Sequence, residues 1–125
     1  DALIIQDLGV FSYIREQFPD IAIHCSTQMN ITSRYGAEFM EQQGATRVVT
    51  AREMSLAEIC AIKEHVDIEV ETFVHGAMCC SYSGQCLMSS LAGGRSGNRG
   101  RCAIAMTEAI CYPCRICAPC RWSRS

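Results

Sequence analysis

Long apolar runs are missing from this 125-residue chain. Its apolar runs, such as Ala2 to Ile5, fall far short of the roughly 20 residues a helix needs to cross a bilayer, which excludes a helical membrane span. There is no initiator Met and no basic stretch followed by an apolar segment and a cleavage site, so the chain, opening at Asp1, is expected to be an internal piece of a longer soluble protein. Basic side chains are scarce over residues 1–90, which hold five Lys/Arg against twelve Asp/Glu. No glycine-rich fingerprint follows any candidate strand, which disfavours a dinucleotide-binding fold. Neither H-E-x-x-H nor G-x-S-x-G occurs, so the common zinc-protease and serine-hydrolase signatures are absent.

What is present is alternation. The continuous apolar run Ala2–Gln6 reads as a strand buried on both faces of a parallel sheet. Asp7 is placed to cap a helix in which Val10, Phe11, Ile14 and Phe18 recur at helical spacing. Pro19 and Asp20 end it and open a second strand, Ile21–His24. Thr32 or Ser33 starts a second helix carrying Tyr35, Phe39 and Met40 on one face, with Gly44 at its C′ position. Arg47–Thr50 is the third strand, Ser55 and Glu58 form a capping box ahead of Leu56, Ile59, Cys60 and Ile62, and Ile68–Val74 supplies the fourth strand. Four strands and three helices in strict alternation specify an α/β fold with a parallel sheet and right-handed crossovers. At this spacing they amount to half of a TIM-like (β/α) barrel, the β/α half-barrel spanning 1–78. From Cys79 the texture changes to Gly, Ser, Arg and Cys, and residues 79–102 read as a loop-rich segment shaped by ligands. Residues 103–125 form a divergent Cys/Arg-rich tail whose register a reading-frame shift would explain.

In β/α folds the site lies at the carboxyl ends of the strands. The second strand ends in His24-Cys25-Ser26-Thr27-Gln28 and the fourth in Glu71-Thr72-Phe73-Val74-His75-Gly76. Ser26, Gln28 and His75 are therefore candidate catalytic residues; the alternative is that Ser26 and Thr27 shape a turn and His75 bonds a backbone carbonyl. Ten cysteines in a chain without a leader point to metal ligation or redox chemistry in a reducing cytoplasm. Cys79, Cys86 and Cys102, separated by six and fifteen residues, suit an iron–sulfur cluster or zinc, and either needs a fourth ligand. Downstream, Cys111, Cys114, Cys117 and Cys120 repeat as C-x2-C-x2-C-x2-C, which is either a ferredoxin-like run or a low-complexity tail. Cys25 and Cys60 fit buried apolar faces, and Cys80 is a spare thiol beside Cys79. Residues 91–125 hold six Arg and one acidic residue, a balance that suits contact with a polyanion or a solvated loop.

The stretch Glu71 to Cys102, with E-x-F-V-H-G, then C-x6-C embedding Y-S-G-Q-C, then L-M-S-S and G-R-S-G-N-R-G-x-C, resembles the signature segment of peptidase family U32, the collagenase-like proteases. Ser26-Thr27-Gln28 resembles an upstream motif of the same family, and the wording is closest to its long-chain branch, related to 23S rRNA 5-hydroxycytidine synthesis. The resemblance covers residues 1–102 and implies a barrel-like domain whose remainder lies outside this chain. It also implies two functions: the family carries the peptidase name, yet members are implicated in hydroxylating tRNA, rRNA or ubiquinone precursors with a [4Fe–4S] cluster on four cysteines. Carried over by position, Cys79, Cys86 and Cys102 match the first three ligands. The family continues C-A-Q-P-C-R, but Met106 stands at the fourth position here, and Cys117-Ala118-Pro119-Cys120-Arg121 looks like a displaced copy, making Cys120 the expected fourth ligand. On chemistry, the spaced thiolates favour a hydroxylating enzyme in which Arg95, Arg99 and Arg101 contact RNA phosphates. A peptidase acting on protein, pairing a Cys with His75 or His24, and a zinc-stapled structural module are the alternatives.

Overall fold

The computed structural model describes residues 1–75, 79, 81–94, 96, 97 and 102. The chain divides into two compact units, residues 1–86 and 87–125. In the first, strands β1 (Ala2–Ile5), β2 (Ala22–Cys25), β3 (Arg47–Val49) and β4 (Glu69–Glu71) alternate with helices α1 (Leu8–Gln17), α2 (Arg34–Gln42) and α3 (Leu56–Lys63). The strands form one parallel sheet in the order β1-β2-β3-β4. The α/β reading of the sequence is therefore borne out.

The helices α1, α2 and α3 each begin where a side chain can take up an orphan N–H. Asp7 Oδ1 accepts from the Val10 N–H at 2.9 Å, and Ser33 Oγ accepts from Gly36 at 3.3 Å. Ser55 and Glu58 make the reciprocal capping box, with the Ser55 N–H donating to Glu58 Oε2 at 2.7 Å. After α2 the chain turns at Gly44, whose φ of +91° is the left-handed conformation that glycine adopts without penalty.

Strands laid down in one direction by right-handed crossovers put every helix on the same side of the sheet. The core lies there: Ile5, Ile23, Cys25 and Val48 from the strands meet Phe11, Ala37, Met40 and Ile62 from the helices. The opposite side carries an in-register row, Ile4, His24, Arg47 and Glu69. Arg47 binds Glu69 through Nε at 2.7 Å and Glu71 through Nη1 at 2.9 Å.

Several apolar faces are narrower than their periodicity suggests. In α1, Phe11 is buried and Ile14 half-buried, while Val10 and Phe18 stand about half exposed. The helix lies over β1, at the edge of the sheet. In α2, Met40 is buried with Ala37, while Tyr35 and Phe39 are exposed. In α3, Ile62 is buried and Ile59 half-buried, whereas Leu56 and Cys60 are exposed. Cys60 thus lies off the buried stripe: at 100° per residue it falls with Leu56 to one side of the Ile59–Ile62 line.

In the second unit, a short helix α4 (Met88–Gly93) occupies part of what the sequence suggests is loop, and it ends on left-handed Gly94. No helix among the described residues is long and apolar enough to cross a membrane.

Candidate functional site

The carboxyl ends of β2, β3 and β4 converge. The Ser26 N–H donates to the Ile5 carbonyl at 2.8 Å, Thr50 donates through its N–H to the Glu71 carbonyl at 3.0 Å, and the Ala51 N–H donates to Ile31 at 3.2 Å. These bonds hold the loops after the strands around a cleft of about 670 Å³. Ser26, Thr27 and Gln28 form one wall, Thr72, Phe73, Val74 and His75 another, and Ala51, Arg52, Met54 and Ile59 the floor between them. The described lining residues include no Asp or Glu, although the first 90 residues hold twelve.

Two of the three candidate catalytic residues have clear local roles. Ser26 caps a 3-10 turn at Thr27–Met29, its Oγ accepting from the Gln28 N–H at 3.2 Å, so the turn-forming alternative accounts for its hydroxyl. Gln28 is fixed through its main chain: Gly84, at φ +76°, lies so close that a Cβ there would overlap the Gln28 carbonyl oxygen. The Y-S-G-Q segment is thereby seated directly on the S-T-Q turn. His75 lines the cleft and is exposed.

The contact is secured by residues that sequence reading did not single out. Ser83 is fully buried. Its Oγ accepts from the Arg52 N–H at 3.2 Å and donates to Glu53 Oε2 at 2.9 Å, while its own N–H donates to Glu53 Oε1 at 3.0 Å. Desolvation pushes the Glu53 carboxyl up, but the two Ser83 bonds outweigh it and hold the group below the ordinary carboxylate value. The signal was available: Arg52 and Glu53 follow β3 as Ser26 and Gln28 follow β2, and the strand-end rule applies to both.

The same loop carries two described cysteines, Cys79 and Cys86. The Ser81 N–H, and after it the Cys86 thiol and the Arg52 guanidinium, hold the Cys79 thiol below the ordinary thiol value, against the opposing effect of partial burial. Cys79 and Cys86 are both free of disulfides, and their contact brings two of the expected thiolate ligands together. In the second unit, Cys102 is exposed and its sulfur lies 3.9 Å from Ser89 Oγ. Among the described residues no three His, Cys, Asp or Glu side chains gather as a metal site. Cys120, Arg95, Arg99 and Arg101 lie outside the described residues. Cys25, by contrast, is buried and its thiol is pushed up to about 11 by desolvation, which suits a packing role and not a nucleophile paired with His24.

A parallel α/β protein with its cleft at the strand carboxyl ends, and a cysteine-bearing loop clamped to that cleft, is the class this geometry defines. The model of peptidase family U32 matches residues 1–108, and the chain belongs to that family. It is 47% identical over 106 residues to tRNA hydroxylation protein P of Haemophilus influenzae, covering 84% of this chain and 23% of that protein. It is 45% identical over 105 residues to the 23S rRNA 5-hydroxycytidine C2501 synthase of Escherichia coli, covering 84% of this chain and 16% of that one. The chain thus spans about a quarter of these relatives or less. The solved structure of a U32 peptidase shares the fold, with a TM-score of 0.52 at 20% identity over 58% of this chain and 30% of its own.

Proposed function

We propose that this chain is part of an enzyme that hydroxylates RNA, using a redox centre held by the cysteine loop beside the strand-end cleft. The observation that carries the reading is the clamp itself. Ser83 and Gly84 fix the Cys79–Cys86 pair and the Gln28 turn to one another, so a centre on the thiolates and a substrate in the cleft would share one rigid frame. The names of the relatives in Haemophilus influenzae and Escherichia coli support RNA as the substrate class.

The donor set suits a [4Fe–4S] cluster: two free thiols in contact, one of them stabilised as thiolate by a guanidinium and a backbone N–H. Cys79, Cys86, Cys102 and Cys120 would hold the cluster, which when bound supplies one-electron redox capacity. The chain's own residues do the rest. Arg52 neutralises charge at the thiolate loop, the cleft walls orient the substrate, and Arg95, Arg99 and Arg101 hold RNA phosphates. In the whole protein, further strands would close the sheet into a barrel over the row Ile4, His24, Arg47 and Glu69, leaving the cleft at its mouth.

Iron, acid-labile sulfide and zinc measured on the full-length protein after anaerobic purification test this, together with mass analysis of RNA from cells lacking the gene. About four irons and four sulfides per chain, lost in Cys79→Ser, and a missing hydroxyl group in cellular RNA are the expected results. Zinc alone would indicate a structural staple. A metal-free protein that cleaves denatured collagen through Cys79, whose lowered pKa also suits a nucleophile, would establish the peptidase function instead.

A further inference from the structure

The strand-end cleft has the composition of a site for a flat, uncharged, edge-polar ring. Its floor joins apolar Ala51, Met54 and Ile59 to Arg52, whose guanidinium is held at Ser83 and Cys79, and its described lining contains no carboxylate. One wall presents Phe73, which is 58% exposed immediately beyond β4, whereas Phe11 is 3% exposed in the core. An aromatic face open at the mouth of a cleft offers a stacking surface to a flat ligand. The facing wall presents Gln28, an amide that offers both a donor and an acceptor. Its backbone is fixed by Gly84, so its position is set before any ligand arrives. The cleft volume of about 670 Å³ falls in the range of small-ligand sites, roughly 300–1,000 Å³.

We infer that this cleft is a nucleobase pocket in which a single base, extruded from its RNA, stacks on Phe73 and is read along its edge by Gln28. The inference rests on the RNA-hydroxylation reading and deepens it. An enzyme that modifies a ring carbon of a base must take the base out of its stack, and the pocket that receives it needs a π-face and a hydrogen-bonding edge. Stacking holds any base, since every base has a π-face, while the amide selects among them.

The test uses the full-length protein at fixed salt and three single-stranded RNA oligonucleotides, with a pyrimidine, a purine or an abasic site at the target position. The pyrimidine strand is expected to bind about tenfold tighter than the abasic one, the scale of one base–aromatic stack. Phe73→Ala should abolish that preference while leaving abasic affinity unchanged, and Phe73→Tyr should restore it. Gln28→Ala should keep the preference over the abasic strand but lose discrimination between pyrimidine and purine at the position. Binding of all three strands with equal affinity, or a preference that survives Phe73→Ala, overturns the pocket while leaving the RNA reading intact. Failure of the wild-type protein to bind any of the strands overturns the RNA reading and the pocket together.

Discussion

At Gly84 two constraints coincide, a left-handed φ of +76° and a backbone approach that leaves no room for a Cβ against the Gln28 carbonyl. Gly94 shares only the first: its φ is +62°, but nothing lies within 4 Å of where its Cβ would stand. Gly94→Ala should therefore cost only the left-handed penalty, about 1 kcal/mol. Gly84→Ala should cost about 2 kcal/mol more, because the overlap must be relieved by moving backbone. Thermal denaturation gives the difference, and the Gln28 amide resonance should shift in Gly84→Ala alone. The cysteines differ just as sharply by environment. In metal-free protein, Cys79, held below the ordinary thiol value, should be alkylated at neutral pH. Cys25, raised to about 11, should stay unmodified until the chain unfolds. Peptide mapping after iodoacetamide treatment checks this, and equal labelling of the two would contradict the environments described.

Among the elements, the joint between the β3–α3 turn and the cysteine loop is the one that sequence periodicity could not reveal. Ser83 and Glu53 are 30 residues apart, and their bonds exist only because parallel strands bring both loops to the same edge. Glu53 titrates below its ordinary value of 4.5. A depressed carboxyl pKa contributes stability that is complete above the unfolded value and is lost as pH falls through the folded one. The stability difference between wild type and Glu53→Gln should thus be constant above pH 4.5 and shrink below it. The amplitude should be small, since Glu53 is largely exposed to water. A difference that grows on acidification would show that the carboxylate does not hold the loop. Helix starts, in contrast, were legible: Asp7, Ser33 and Ser55 each cap as their local sequence implies, because a cap depends on residues three positions away.

For the molecule as a whole, the edges of the sheet set what must lie beside it. Among the described strands, β1 and β4 pair on one side only, and Ile4 is 71% exposed. An edge strand with unpaired N–H groups seeks a partner. Backbone amides of β4 should exchange slowly in the full-length protein and rapidly in the 125-residue chain alone. Equal exchange in both would mean that no further strand pairs with β4, and the barrel would be abandoned for an open sheet.

The sequence by itself determined the alternation of strands and helices, the caps and the motifs that mark the family, since each depends on neighbours a few residues apart, and the alternation in turn implied a parallel sheet. It also located two of the strand ends that line the cleft. Only the tertiary structure decided which apolar residues are buried, exposing Cys60, Leu56 and Phe39 because the sheet covers one stripe of each helix. It alone joined Gly84 to Gln28 and Ser83 to Arg52 and Glu53, and set Arg52 beside Cys79. Those contacts link residues far apart in the chain, and nothing in local propensity or spacing carries information about a distance that only packing creates.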